Sequence, residues 1–310
     1  MSNESSNWQK TTLYGVEHSP WLQGVRLALA HHHIPNQLTS YPLSFSWFWH
    51  NGLVFPVLQL PDGTTVRDSF GIYQFLEANG YPLGLNDLSD EAILDTQIQL
   101  ENLFNAYVLG RCGPGKNWAF IRAWSAMREL PHSSWGTLWR ALITHYFWIL
   151  IRLGIWQKQK TKRNTFDLNY IARHLDTWNQ KLSSRIWLTG DEMGAFDFAL
   201  LGHLQCMCSG LTDEVLPLIQ QQPHLMRWLE LMMRKLPDYD PMYTRRVFEP
   251  DAVVNTASVP HRMLFWVVWF ISLLGWPITL PFVALAIRNR FKNPARSGGM
   301  ATKRITATDR

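Results

Sequence analysis

Apolar and polar positions alternate with a changing period over the first quarter of the 310-residue chain, and with a steady helical period after it. "TTLYGV" has the β-branched and aromatic content of a strand, and "PWLQGVRLALAHHH" follows as a helix. In that helix Leu22, Val25, Ala28 and Leu29 share one face, Gln23 and Arg26 fall elsewhere, and "IPN" ends it. A second strand is predicted near "QLTSYPL". "LVFPVLQL" reads as a strand interrupted by Pro56, and "PDGTTVRDS" as a turn with a short strand. "FGIYQFLEANG" closes the series as a helix with Gly80 at its end. The order is βαβ followed by ββα. Beyond Leu85 the strand signals vanish, and helices are predicted near 90–110, 116–130, 134–155, 166–184, 195–209 and 223–236. Two domains result, 11–84 and 90–240.

The last periodic feature is of another kind. "MLFWVVWFISLLGWPITLPFVALAI", residues 263–287, holds 25 residues without a charge between Arg262 and Arg288. That exceeds the ~20 residues needed to cross a bilayer. A soluble helix normally keeps a polar stripe, which this run lacks, and Trp266, Trp269 and Trp276 suit a membrane interface. A membrane segment is therefore expected, as a kinked crossing or as a re-entrant hairpin broken at Gly275 and Pro277.

Charge changes the picture only at the end of the chain. The formal +5 comes from the tail 288–310, predicted to be disordered, whose seven Lys/Arg and one Asp carry +6 and leave −1 for everything before it. That excludes a nucleic-acid-binding face and offers the tail to anionic lipid instead. Cys112, Cys206 and Cys208 are odd in number and lack CxxC spacing, so a reducing compartment is expected and no zinc site. "MSNESSNWQKTT" has no apolar signal region, which places the globular domains on the cytoplasmic side of a membrane.

Candidate chemistry lies in the first domain. Ser19-Pro20 is a strong helix start in its own right, serine at the N-cap and proline at the first position. Ser69 could likewise cap a helix beginning at Phe70. Tyr14 sits inside a strand, where an aromatic side chain usually packs. His31, His32 and His33 point in three directions from a helix end and suit solvent better than a metal. The aromatic stretch 134–156 suits core packing more than a pocket wall.

Taken in order, "LYGVEHSPW", "VFPVL", "DG" and "RDSFGIYQFLE" resemble the thioredoxin-like amino-terminal domain of the glutathione transferase superfamily, and the helical second domain extends the resemblance weakly to about residue 240. The resemblance implies an α/β thioredoxin-like domain followed by an all-α domain. It also implies roles for single residues. Ser19, in "SPW", matches the family's thiol-activating serine or cysteine. Phe55-Pro56 matches the residue and cis-proline whose backbone pairs with the cysteinyl part of glutathione. Asp68-Ser69 matches the acidic-serine pair that holds the γ-glutamyl end. "WLTGDEMGAFDFALLGHL" matches a late motif in which a capping box opens a buried helix, here with Gly194 where the family has Ser or Thr and Asp197 three residues on. "WFWHNGLVFP" lacks the lysine that many relatives set against the glycyl carboxylate. The activity implied is conjugation of apolar electrophiles with glutathione as cosubstrate, or reduction of peroxides. Implied partners are an apolar small molecule and membrane lipid, with a homodimer left open. A non-catalytic membrane adaptor of the same shape, as in the metaxins, is the alternative.

Overall fold

The first strand pair fixes where everything else goes. In the computed structural model, which describes residues 11–40, 55–109, 114–126, 133–146, 168–211, 213–251, 256–275 and 277, β1 (Thr12–Tyr14) buries Leu13 and leaves its neighbours part-exposed, the period-2 pattern of a strand. It pairs in parallel with β2 (Gln37–Thr39) and antiparallel with β3 (Val57–Gln59), which pairs antiparallel with β4 (Thr65–Arg67). Among the described residues the sheet order is β2-β1-β3-β4. The parallel step from β1 to β2 is bridged by α1 (Pro20–His31), and α2 (Ser69–Ala78) follows β4. This is the thioredoxin-like arrangement that the hydrophobic pattern predicts.

One detail of α1 departs from that pattern. Gln23 is buried, and Arg26 is half-buried, although both lie off the apolar face. The reason is a second covering layer. Tyr239 donates its hydroxyl to Gln23 Oε1 at 2.6 Å, and the Arg26 guanidinium lies 5.2 Å from the Tyr239 ring centroid. The chain at Tyr239 and Asp240, next to the cis Asp240–Pro241 bond, thus lies over the polar side of α1.

The linker after α2 is tied down by Glu77, whose carboxylate accepts the backbone N–H groups of Leu83 at 3.2 Å, Leu85 at 2.8 Å and Asn86 at 3.2 Å. Then come α3 (Asp90–Leu109), α4 (Pro114–Ala126), α5 (Ser134–Tyr146), α6 (Leu168–Lys181), α7 (Ala195–Cys208), α8 (Leu216–Gln220) and α9 (Pro223–Lys235). Every residue of α7 is buried, so this helix is the axis of the second domain. It packs directly on α1. A Cβ at Gly202 of α7 would lie 2.4 Å from both Gly24 N and Pro20 O, and one at Gly24 would lie 3.0 Å from Phe198 O. Only two glycines facing each other allow the backbones that close. Apolar residues of both domains, from Leu13 to Val247, accordingly form one continuous core.

Helix α10 (Val259–Leu274) begins four residues before the charge-free run and lies against α4 and α5. Among the described residues no helix is long and apolar enough to cross a membrane. Trp276 and residues 278–287 of the expected membrane segment and the whole tail 288–310 lie outside the described residues, as do Cys112 and the segment before Phe55 that lacks the lysine.

Candidate functional site

Strand register brings the sequence candidates to one end of the sheet. Tyr14 pairs with Val57, and Val57 with Arg67, both antiparallel. The chain leaving β1 toward Ser19, the Phe55–Pro56 step entering β3 and the Asp68–Ser69 step leaving β4 therefore share an edge. Asp68 N donates to Pro56 O at 3.0 Å and ties two of the three together. The Phe55–Pro56 bond is cis.

Ser19 is the N-cap of α1, with φ −83° and ψ 122°, and Pro20 occupies the first helical position. Its Oγ accepts from Leu22 N at 3.5 Å, the outer limit of a hydrogen bond. The hydroxyl is part-exposed and only lightly engaged, at the positive end of the helix dipole. A thiolate beside it would meet a hydroxyl donor and that dipole together.

At the second helix start Asp68, not Ser69, is the cap. Its Oδ1 accepts from Gly71 N at 2.8 Å, and the helix begins at Ser69 itself, which is buried. An ordinary N-cap takes extended backbone without strain. Asp68 instead has φ +55° and ψ 162°, a region almost confined to glycine that costs about 1–3 kcal/mol. Capping alone does not call for that backbone. It turns the 68–69 step toward the edge where Pro56 and Ser19 lie.

Other candidates settle into structural roles. Tyr14 donates its hydroxyl to Gln59 Oε1 across the sheet at 2.9 Å, and burial raises its pKa. His31 and His32 stack edge-on at 4.8 Å, and His31 also meets Phe198 at 5.4 Å. Among the described residues no cluster of His, Cys, Asp or Glu could hold a metal ion. Of the aromatic stretch 134–156, residues 147–156 lie outside the described residues.

No protein-family profile and no curated protein matches the chain. Solved structures similar to it in fold include a glutathione S-transferase of Methylobacillus flagellatus with glutathione bound, 22% identical over 74% of this chain and 98% of that one, TM-score 0.49. A glutathione S-transferase of Methylobacterium radiotolerans in complex with glutathione sulfonate is 20% identical over 81% and 97%, TM-score 0.46. A glutathione transferase of Populus trichocarpa is 17% identical over 77% and 98%, TM-score 0.43.

Beneath the site lies a buried polar layer that pattern reasoning missed. Glu17 is fully buried, accepts from Tyr243 Oη at 3.0 Å and stands 3.9 Å from Arg26. Next to it, His18 is packed between Trp124 and Tyr243, at ring separations of 6.3 and 5.8 Å, and its carbonyl accepts the Cys206 thiol. Among the described residues neither ring nitrogen of His18 has a hydrogen-bond partner. The one signal in the sequence was adjacency: both residues directly precede Ser19.

Burial, with the Arg140 charge adding to it, lowers the His18 pKa to about 3, and burial lowers His203 to about 4. The unfolded chain takes up these protons near pH 6.5, while the folded chain resists until pH 3–4. Stability therefore falls as the pH drops below 6.5, by up to ~1.4 kcal/mol per pH unit for each of the two buried rings. Thermal melts between pH 7.5 and 4.5 should show that slope, and His203→Phe should remove one proton from it. A pH slope unchanged in His203→Phe would contradict the burial of that ring as a neutral imidazole.

Proposed function

We propose that the chain is a membrane-attached glutathione transferase-like protein with its globular domains on the cytoplasmic side. Glutathione lies along the sheet edge, with its thiol at Ser19, its cysteinyl backbone beside Phe55-Pro56 and its γ-glutamyl end at Asp68-Ser69. The observation that carries this reading is the backbone of Asp68, held at positive φ on the same edge as the lightly bonded Ser19 hydroxyl. Strain kept at an edge where three loops meet is a feature of ligand sites. Cys206 and Cys208 are buried and neither is in a disulfide among the described residues, in keeping with a reducing compartment.

The chemistry follows from Ser19. Glutathione's thiol begins near the free-cysteine pKa of ~8.5, and donation from Ser19 Oγ with the α1 dipole favours the anion. The thiolate attacks an apolar electrophile, a C–S bond forms and the leaving group departs with its electron pair. With a peroxide it attacks oxygen instead: an S–O bond forms as the O–O bond breaks, the alkoxide leaves and takes a proton to become the alcohol, and the thiol of a second glutathione attacks the sulfenic sulfur to give the disulfide and water.

Calorimetry and thermal shift on the full chain in mild detergent test this. Binding with a Kd near ~0.1 mM should stabilise the protein by about 1.4 kcal/mol at ~1 mM glutathione. Ser19→Ala should then raise the pKa of the bound thiol, read from thiolate absorbance, while lowering stability by no more than ~1 kcal/mol, the typical cost of a lost cap. No heat and no shift would favour the second reading, a non-catalytic membrane adaptor, to which the absent lysine in "WFWHNGLVFP" already points.

A further inference from the structure

Helix α10 has two apolar faces, and among the described residues the protein covers only one. The inner face is bound to the second domain. Phe265 is completely buried, with the Arg140 guanidinium 5.3 Å from its ring centroid, and Trp266 lies 5.3 Å from Trp118 of α4. Ala257 N donates to Ala126 O at 2.7 Å and pins the approach to the helix. The outer face carries Met263, Val267, Phe270, Ile271 and Leu274, spaced 4, 3, 1 and 3 residues apart, each between 54 and 82% exposed. No polar side chain interrupts this stripe. An amphipathic helix in water turns its polar side outward; α10 turns outward the side that water would reject.

The length of the segment bears on what covers the stripe. Spanning a bilayer takes ~20 of the 25 residues in the charge-free run 263–287. Its first twelve residues are occupied on the inner side by α4 and α5. From Gly275 to Ile287 there remain 13 residues, which at the helical rise of 1.5 Å per residue would reach ~20 Å against a hydrocarbon core of ~30 Å. A straight crossing would draw about seven more residues, from Val268 to Leu274, off the domain and break the contact of Trp269 with Trp118, 6.3 Å between ring centroids. The chain that continues from the stripe is uncharged to residue 287 and then carries +6 in the tail, matching an apolar layer bounded by anionic headgroups.

We propose that α10 lies in the plane of a membrane interface. Its outer stripe is sunk among acyl chains while its inner face stays on α4 and α5. The globular body is then pressed against the bilayer, not hung from it by a stalk. This rests on the membrane attachment proposed above and adds its geometry. It also brings Trp124 of α4, which packs on His18 next to Ser19, within one helix layer of lipid. An apolar electrophile dissolved in the bilayer would have a short path to that side of the site.

Nitroxide labelling of the full chain carrying Cys112→Ser, reconstituted with vesicles of phosphatidylcholine and phosphatidylglycerol, tests this. Single cysteines are placed at Met263, Val267, Ile271 and Leu274 on the stripe, and at Arg262 off it. Co-flotation with the vesicles is measured first, and collisions with oxygen and with a water-soluble nickel chelate second. The in-plane arrangement predicts one common depth for the four stripe sites, with an oxygen-to-nickel ratio about tenfold above that at Arg262. A depth that increases steadily from 263 to 274, by roughly 1.5 Å per residue, would overturn it in favour of a crossing and leave membrane attachment standing. Stripe sites shielded from both reagents would also overturn it, because protein would then cover the face. Failure to float would remove the membrane attachment itself.

Discussion

Asp197→Asn is expected to destabilise the protein by on the order of 4 kcal/mol, a large share of the ~5–15 kcal/mol that holds a typical domain together. The carboxylate is completely buried and accepts only. Oδ1 takes Leu188 N and Trp228 Nε1, each at 2.9 Å; Oδ2 takes Gly194 N at 3.1 Å, Thr189 Oγ1 at 3.2 Å and Thr189 N at 3.4 Å. An amide must turn its NH₂ toward one of these groups, leaving two or three donors facing a donor at ~1–3 kcal/mol each. Burial raises the Asp197 pKa, and the donors restrain the rise. The same cluster reverses an intuitive repair. Gly194 stands where the resemblance has Ser or Thr, and restoring a hydroxyl there looks stabilising. A Cβ at Gly194 would meet Leu83 O at 2.4 Å and Thr189 Cβ at 2.8 Å, so Gly194→Ser should destabilise instead. The cap is not missing: Thr189 Oγ1 accepts from Phe196 N at 3.0 Å and supplies it from outside the helix. Chemical denaturation of the three proteins checks this, and an Asp197→Asn variant within 1 kcal/mol of the parent would refute the role given to the cluster.

Gly202→Val should be the second large effect. The added side chain would begin 2.4 Å from two backbone atoms of α1, neither at the end of a flexible side chain, so the helices must separate. Overpacking of this kind costs about 3 kcal/mol or more. Pro20 O is one of the atoms struck, and Ser19 is its neighbour, so the separation displaces the N-cap as well. The expected result is a melting temperature lowered by roughly 10 °C, at ~2–4 °C per kcal/mol for a chain of this size, together with weakened glutathione binding in whatever fraction remains folded. Exposed Gly63, where a Cβ would meet nothing but whose φ of +86° disfavours side chains, is the comparison: Gly63→Asn should leave binding unchanged.

The elements legible in the sequence were those whose signal is local. Ser19-Pro20 marked the start of α1, the 3.6-residue period gave α3, α6 and α9, and the order of short apolar runs gave the sheet. What stayed hidden depends on contacts distant in the chain. Gln23 is polar and lies off the apolar face of α1, but Tyr239, 216 residues on, covers it. Gly194 looked like a lost cap because Thr189 Oγ1 reaches it only in three dimensions. Asp68 rather than Ser69 caps α2, and it does so from a backbone at positive φ, which no side-chain pattern encodes. In the site, Ser19, Pro56 and Asp68 could be named singly, whereas the buried Glu17 and His18 beneath them look like ordinary loop residues until Tyr243 and Trp124 pack on them.

The contact of α1 with α7 also bears on how the chain is made. Gly24 leaves the ribosome 178 residues ahead of Gly202. At ~5–20 residues per second that interval lasts roughly 9–36 s, during which the face of α1 that belongs on α7 has nothing to pack on. The first domain cannot finish folding as it emerges, although its strands and helices are complete. It must wait, open along that face, for a helix that has not yet been synthesised, and over the same interval it presents apolar surface to chaperones.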